Sequence, residues 1–258
     1  MLKTLIKKII PKSTIRKAIT IFYSGNKYEC SFCHYKMRKF KKMGVNQQVL
    51  IEHDVVGGGL RRGQCPKCNS RDRERLVYLY IKNELRLLTN ESNLKVLHIA
   101  PESNLSERLK SKFTDGYICG DLFTSGCPYP EYVQNMDIRN IPYDNGYFDL
   151  IICNHVLEHI PDDGTAMKEL HRVLSATGRA ILMVPISLSN HLTIEDITIK
   201  TPEARLERFG QSDHVRIYGQ DFTEKLMNAG FKVDRINLYQ KYLRDGLNEK
   251  EDLYVAMK

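Results

Sequence analysis

The chain has 258 residues, 42% of them hydrophobic, with 39 Lys and Arg against 31 Asp and Glu and a formal net charge of +8. Such a chain can bury one full-sized core plus a small appendage, so two units are expected. The opening MLKTLIKKIIPKSTIRKAITIFYSG is interrupted every two or three residues by Lys, Arg or Pro and has no small-residue cleavage site, which argues against a membrane span and a secretion signal and makes a cytoplasmic location the expectation.

Charge is concentrated at the start. Residues 1–76 hold 18 Lys and Arg against 5 Asp and Glu, a balance of +13, and the remainder carries −5. Residues 1–27 form a basic segment whose Leu2, Leu5, Ile6, Ile9 and Ile10 fall on one side of an amphipathic pattern. An anionic membrane surface at the inner face is one expected partner, nucleic-acid phosphate is a second, and a solvated basic tail is the plain alternative.

Four of the seven cysteines are paired by spacing, Cys30 with Cys33 in CSFC and Cys65 with Cys68 in CPKC, 31 residues apart. Two such knuckles supply four thiolates to one tetrahedral ion and leave no position open, so residues 28–70 are expected to be a zinc ribbon with a structural Zn2+; iron is the competing metal. His34 and His53 are spare and expected at the surface. Cys119, Cys127 and Cys153 stand alone and read as ordinary small residues. The stretch VLIEHDVVGGGLRRG between the knuckles suits a small ribbon with a flexible turn. Residues 71–94 read as a linking helix, opened by Ser70 as cap and carrying Val77, Ile81, Leu85 and Leu88 at helical spacing. Arg71, Arg73 and Arg75 in its first turns either face solvent, the default, or reach back as an anion clamp.

From residue 95 short apolar strands alternate with helical patterns, as in a parallel α/β sheet. Residues 96–100 read as the first strand and 105–113 as its helix; GYICGD, VQNMDI and YFDLIICN follow as strands, then the helix GTAMKELHRVL and a strand GRAILMVPI begun after Gly178. Ligands in such sheets bind beyond the carboxyl ends of the strands. Asp121 ends the second strand, where a carboxylate can accept from two ribose hydroxyls, and Asp137 with Ile138 ends the third, where an acid and an aliphatic suit the amine and ring face of adenine. The competing reading is that both aspartates are turn residues.

The block DIRNIPYDNGYFDLIICNHVLEHIPDDGTAMKELHRVLSATGRAILMVP, with GFKVDRINL and DLYVAMK as a closing antiparallel hairpin, resembles the class I S-adenosylmethionine-dependent methyltransferases of the type 11 kind over about residues 95–258. CPKCNSRDRERLVYLYI followed by VLHIAPE further resembles a bacterial subgroup with an N-terminal zinc ribbon. The resemblance implies a doubly wound, mostly parallel, seven-stranded Rossmann-like sheet, S-adenosylmethionine as cofactor, and Asp121, Leu122, Asp137, Ile138, Asn154 and His155 along its site. The chain departs from the family in the first loop, where an acid and glycines are replaced by His98, Ala100, Pro101 and Glu102. Glycine lets backbone approach a ligand; here Ala100 is small, and Glu102 is expected to face the cationic methionine ammonium. A degenerate, non-binding loop is the alternative.

Transfer from a sulfonium needs alignment and, for a hydroxyl acceptor, a base. His155, His159 and His214 are the candidates, His214 with Asp213 and Arg216 nearby being favoured and His155 second. Asn154 is followed by HVLE and so lacks the NPPY-like tetrad of many nucleic-acid methyltransferases, which favours a small acceptor. The subgroup's resemblance to enzymes of surface-polysaccharide gene clusters implies O-methylation of a sugar or glycolipid. RNA methylation with the basic ribbon holding phosphates is the enzymatic alternative, although Phe32, Tyr35 and Phe40 are the only obvious aromatics near the knuckles; a non-catalytic scaffold is the alternative of another class.

Overall fold

The computed structural model describes residues 11–89 and 93–258. The apolar residues Leu2, Leu5, Ile6, Ile9 and Ile10 lie outside the described residues. Among the described residues no helix is long and apolar enough to cross a membrane. Helix α1 (Lys12–Tyr23) leaves Ile21 and Phe22 exposed at 76% and 56% and runs directly into the ribbon.

Two antiparallel hairpins make the ribbon: β1 (Ser24–Glu29) with β2 (Lys36–Met37), and β3 (Lys41–Met43) with β4 (Arg61–Gln64). The two knuckles repeat one backbone pattern. The His34 N–H donates to the Cys30 carbonyl (2.9 Å) and the Asn69 N–H to that of Cys65 (3.0 Å). Both residues take left-handed backbone, at φ +53° and +62°. The expected flexible turn between the knuckles lies in the long loop of the second hairpin and contains a short helix, α2 (Gln48–Glu52). His34 is exposed as expected, whereas His53 is half-buried, its Nδ1 2.9 Å from the Asn190 amide.

Helix α3 (Asp72–Leu79) continues through a π-turn over Tyr80–Glu84. Its start differs from the expected serine cap. The Glu74 carboxylate accepts from the Arg71 N–H at 2.6 Å, and the Ser70 hydroxyl turns to the cysteines instead. The solvent default holds for Arg71, which is exposed, but not for the half-buried Arg73 or for Arg75. Arg75 is fully buried, donating to the carbonyls of Ser70, Gly63, Asp245 and Gly246 and stacking over Phe40 at 4.4 Å. Gly246 permits this contact, because a Cβ there would stand 1.9 Å from the Phe40 ring.

The main sheet holds β5 (Val96–Ile99), β6 (Tyr117–Asp121), β7 (Val133–Asn135), β8 (Phe148–Asn154), β9 (Leu174–Met183), β12 (Lys232–Ile236) and β13 (Leu253–Met257), in the order β12-β13-β9-β8-β5-β6-β7. Strands β5 to β9 are parallel, and β13 runs antiparallel to both β9 and β12. The central strands are apolar on both faces because both are covered, the condition that parallel sheets require. Strand β9 begins at Leu174, four residues before the expected Gly178.

Alternate residues of these strands feed two cores. On one face Leu97, Ile99, Ile151, Cys153 and Leu182 pack with Ala166, Met167, Leu170 and Val173 of helix α5 (Asp163–Val173), whose Asp162 cap accepts the Thr165 N–H at 3.0 Å. On the other, Val96, Leu150, Ile152 and Ile181 pack with Leu105, Leu109 and Phe113 of helix α4 (Ser103–Phe113). Phe32, Met37 and Phe40 of the ribbon belong to that second core. Phe32 stacks on Tyr78 at 4.8 Å and carries the Arg108 guanidinium at 4.3 Å over its ring, so ribbon and sheet share one apolar interior. A third cluster, Leu50, Val55, Phe209 and Ile217, joins the ribbon's inner loop to an insertion after β9 that contains β10 (Ile194–Glu195), helix α6 (Pro202–Phe209) and β11 (Arg216–Ile217). Helix α7 (Phe222–Asn228) then leads into β12.

Candidate active site

In the strand order the chain winds outward from β5 through β6 to β7, then returns to β8 and winds the other way. The crevice between β5 and β8 is therefore the switch point of the sheet, where α/β folds open a ligand site. Both strands end in a non-glycine residue with left-handed backbone, Ala100 at φ +47° and His155 at φ +55°. Such backbone costs on the order of 1–3 kcal/mol per residue and persists where the surroundings impose it. Here the Ala100 N–H donates to the Gly120 carbonyl (2.8 Å) and the His155 N–H to that of Met183 (2.7 Å). The first loop thus makes the turn that glycine would make, with alanine.

Around this crevice several buried polar atoms lack partners: Glu102 Oε1, Arg73 Nε, both amide atoms of Asn154, His155 Nε2, Glu158 Oε2 and Glu251 Oε2. A cluster of this kind is rare in a folded protein and fits a site shaped for a polar ligand. Glu102 precedes helix α4; its Oε2 lies 3.1 Å from Nε2 of the buried His98, and its Oε1 faces Arg73 Nε at 3.8 Å. Burial works to raise the Glu102 pKa, but the His98 hydrogen bond and the charges of His98 and Arg73 bring it below the usual range. A carboxylate remains whose Oε1 has the Arg73 charge beside it and no hydrogen bond. His98 is held on its other side by the Tyr117 hydroxyl, 2.6 Å from Nδ1.

The other predicted cofactor residues lie along the same edge. Asp121 is half-buried at the end of β6, where burial raises its pKa against the opposing Leu122 N–H; Leu122 is 48% exposed beside it. Asp137 follows β7 and is chelated by Arg139, whose hydrogen bonds lower its pKa. Ile138 is buried.

Beyond the crevice lies a cavity of about 540 Å3. Its floor is His155, Glu158, His159 and His214. The ribbon supplies a facing wall through Val55, Val56, Gly57 and Gly58, and Arg71 and Arg73 close one side. Two of the three arginines expected in solvent therefore reach the site. Glu158 and Glu251 flank His155, with Glu158 Oε1 3.3 Å from Nδ1 and Glu251 Oε1 3.8 Å from Nε2. Burial and the Arg73 charge oppose protonation of His155, yet the two glutamates raise its pKa above the ordinary histidine value. His214 is different: burial holds it at about 4, so its ring is neutral at physiological pH. Arg216 does not face the cavity. It is buried beneath the floor and donates to the carbonyls of Leu157, Ile160 and Pro161, which fixes the segment carrying Glu158 and His159.

The predicted metal ligands also converge. Cys30 Sγ lies 3.7 Å from Cys68 Sγ, and Cys33 Sγ lies 3.7 Å from Cys65 Sγ. Four thiolates about 2.3 Å from a tetrahedral zinc have edges of roughly 3.8 Å, so this spacing fits that ion. The Ser70 hydroxyl is 3.2 Å from Cys68 Sγ and 3.4 Å from Cys30 Sγ, within reach of two of the four sulfurs. Glu158 and Glu251 had no role in the sequence reading. Glu158 lies within the quoted LEHIP stretch, but Glu251 has no local signal because its partner His155 is distant in the chain.

Residues 85–182 match a family model described as "Methyltransferase domain". The uncharacterized protein YafE of Escherichia coli (strain K12) is 31% identical over 99 residues, covering 38% of this chain and 45% of that protein. An uncharacterized 37.1 kDa protein in transposon TN4556 of Streptomyces fradiae is 26% identical over 120 residues, covering 44% and 32%. The chain thus spans less than half the length of these curated relatives. Among solved structures, a SAM-dependent methyltransferase from Archaeoglobus fulgidus aligns with a TM-score of 0.45 at 12% identity, covering 72% of this chain and 94% of that one. Residues 85–182 are thus similar to a methyltransferase domain, and they lie within a seven-stranded sheet whose last strand runs antiparallel to its neighbours.

Proposed function

We propose that the protein is an S-adenosylmethionine-dependent O-methyltransferase whose acceptor is a small hydroxyl-bearing molecule, a sugar or glycolipid headgroup. The observation that carries the acceptor class is the cavity lining. Among the described residues it sets His, Glu, Asp, Arg and Gln side chains beside the apolar Met43, Val45, Leu50, Val55, Val56 and Pro185 and has no Phe or Tyr, a lining that offers hydrogen bonds and charge to a hydroxyl-bearing acceptor.

The cofactor would supply a methyl on positive sulfur. In this reading Asp121 accepts from the ribose hydroxyls, Asp137 and Ile138 hold adenine, and Leu122 covers the sugar. Ala100 and Pro101 shape the turn, and the Glu102 carboxylate faces the ammonium with Asn154 beside it. Glu158 and Glu251 would orient His155 and stabilise its imidazolium, so that His155 would take the proton of the acceptor hydroxyl as that oxygen receives the methyl the cofactor would supply. His214, favoured from sequence as the base, is held too weakly basic for that task; it is better placed as a neutral imidazole in the wall. A structural Zn2+ in the four-cysteine site would fix the ribbon as the facing wall, and the basic segment around α1 would meet an anionic membrane carrying the acceptor.

The test is calorimetry with S-adenosylhomocysteine, followed by labelled methyl donor with sugar nucleotide, glycolipid and RNA fractions from the source cell. Binding with label in a saccharide fraction is expected. Label in RNA, lost steeply as salt rises, overturns the acceptor class; no cofactor binding overturns the enzymatic reading and leaves a scaffold.

A further inference from the structure

We propose that Glu158, His159 and His214 form a second metal site, for a first-row divalent cation, in the floor of the cavity. One ligand atom from each side chain lies within 4.8 Å of the other two. The two imidazoles meet edge to face with centroids 4.7 Å apart. Ligands about 2.1 Å from one cation stand roughly 3 Å from each other, so the set would close by drawing its ligand atoms in from within 4.8 Å. All three line the cavity, and the remaining coordination positions open onto it.

A separate observation points to a missing positive partner. Glu158 is 1% exposed, and its Oε2 has no hydrogen-bond partner, although Oε1 is engaged by His155. A buried carboxylate oxygen without a donor is costly unless a cation reaches it. The supporting shell is already built. Both the carboxylate and the carbonyl of Asp213 lie 3.3 Å from His159 Nδ1. With Nδ1 donating there, the ring's lone pair is on Nε2, as metal-binding histidines require. The Val215 N–H donates to the Glu158 carbonyl at 3.0 Å, and Arg216 pins the carbonyls around it, so the ligand segment is preorganised. Two imidazoles and one carboxylate suit Mn2+, Fe2+, Co2+ or Zn2+ better than Mg2+ or Ca2+.

This site deepens the O-methyltransferase reading and rests on it for its purpose: a cation with open positions selects an acceptor with two neighbouring oxygens, such as a vicinal diol or an α-hydroxy acid. It would lower the pKa of the bound hydroxyl, whose proton then passes to His155.

The test uses the full, zinc-loaded chain without methyl donor or acceptor. MnCl2 is titrated in, with free Mn2+ followed by electron paramagnetic resonance, and a second zinc equivalent is measured against a chromophoric chelator. One saturable cation per chain beyond the four-cysteine site is expected. Glu158→Gln and His214→Ala should each weaken it by at least about 100-fold, since even supporting partners of ligands are worth 10- to 100-fold. His159→Asn, at a partly exposed position, gives the same reading should the buried variants fail to fold. Absence of saturable binding for both metals, or binding unchanged in the folded variants, overturns the site. Because cofactor and acceptor are absent, these outcomes are independent of the methyl-transfer reading: S-adenosylhomocysteine binding without a cation sinks the metal site alone, and a cation without cofactor binding sinks the methyltransferase reading alone.

Discussion

Replacing Arg75 by lysine tests whether the arginine that joins ribbon, linking helix and C-terminal loop is as central as its burial indicates. Arg75 donates to the Ser70 carbonyl (2.7 Å) and hydroxyl (3.2 Å), and to the carbonyls of Gly63 (2.8 Å), Asp245 (2.7 Å) and Gly246 (2.9 Å). An ammonium has three donors, so Arg75→Lys leaves at least two of these acceptors unmet. Hydrogen bonds to a charged group contribute roughly 1.5–3 kcal/mol each, which puts the loss at about 3 kcal/mol or more. For a chain of this size each kcal/mol moves the midpoint by about 2–4 °C, so unfolding should come at least about 6 °C lower. The Ser70 hydroxyl also lies beside two of the four clustered cysteine sulfurs, and in zinc-loaded protein metal release to a chromophoric chelator should quicken in parallel. Scanning calorimetry on zinc-loaded protein is the assay. A midpoint within about 2 °C of wild type would mean that the buried guanidinium is replaceable and that the shared interior rests on apolar contacts alone.

Asp121→Ala should weaken S-adenosylhomocysteine by about 1.5–3 kcal/mol, as expected for hydrogen bonds to a charged acceptor, and unchanged calorimetric affinity would remove Asp121 from the site. His155→Asn should lower turnover by about 10²–10⁴-fold with cofactor affinity nearly constant, the signature of a lost base; steady-state kinetics beside calorimetry separates the two. Ala100→Gly should leave stability level or raise it by up to about 1 kcal/mol, because relief of left-handed strain of about 1–2 kcal/mol outweighs the added freedom of the unfolded chain. Denaturant titration showing a loss beyond about 1 kcal/mol would place the value of Ala100 in its methyl contacts. Metal analysis should find one zinc in the four-cysteine site, and its removal should unfold the ribbon while lowering the midpoint of the sheet as well, since Phe32, Met37 and Phe40 sit in a common core; circular dichroism unaffected by chelation argues against that coupling.

What could be read from sequence was what is written locally. Strand runs such as FDLIICN, the i, i+4 repeat of Leu105 and Leu109, and the two knuckles each carry their pattern within a dozen residues, and each appears where expected. Arg75 shows the opposite case. Solvation is the sound local expectation for an arginine in RDRER, but two of its acceptors, Asp245 and Gly246, lie 170 and 171 residues away, where no periodicity can signal them. The pairing of His155 with Glu251 was hidden for the same reason. Ser70 has the residue type of a helix cap, yet nearby sulfurs and the Arg75 guanidinium compete for its hydroxyl, so the backbone N–H of Arg71 turned to Glu74.

The cavity is bounded by two parts of the chain with different obligations. Its floor comes from the segment after β8, His155 to His159, and from His214 of the insertion, and in the proposed reading it also meets the methyl donor. The opposing face, Val55 to Gly58, belongs to a loop held between ribbon and insertion and has no donor-side duty. In that reading, exchange of residues there retunes which molecules are admitted and leaves the transfer chemistry as it is, making the appendage a replaceable mould for the acceptor.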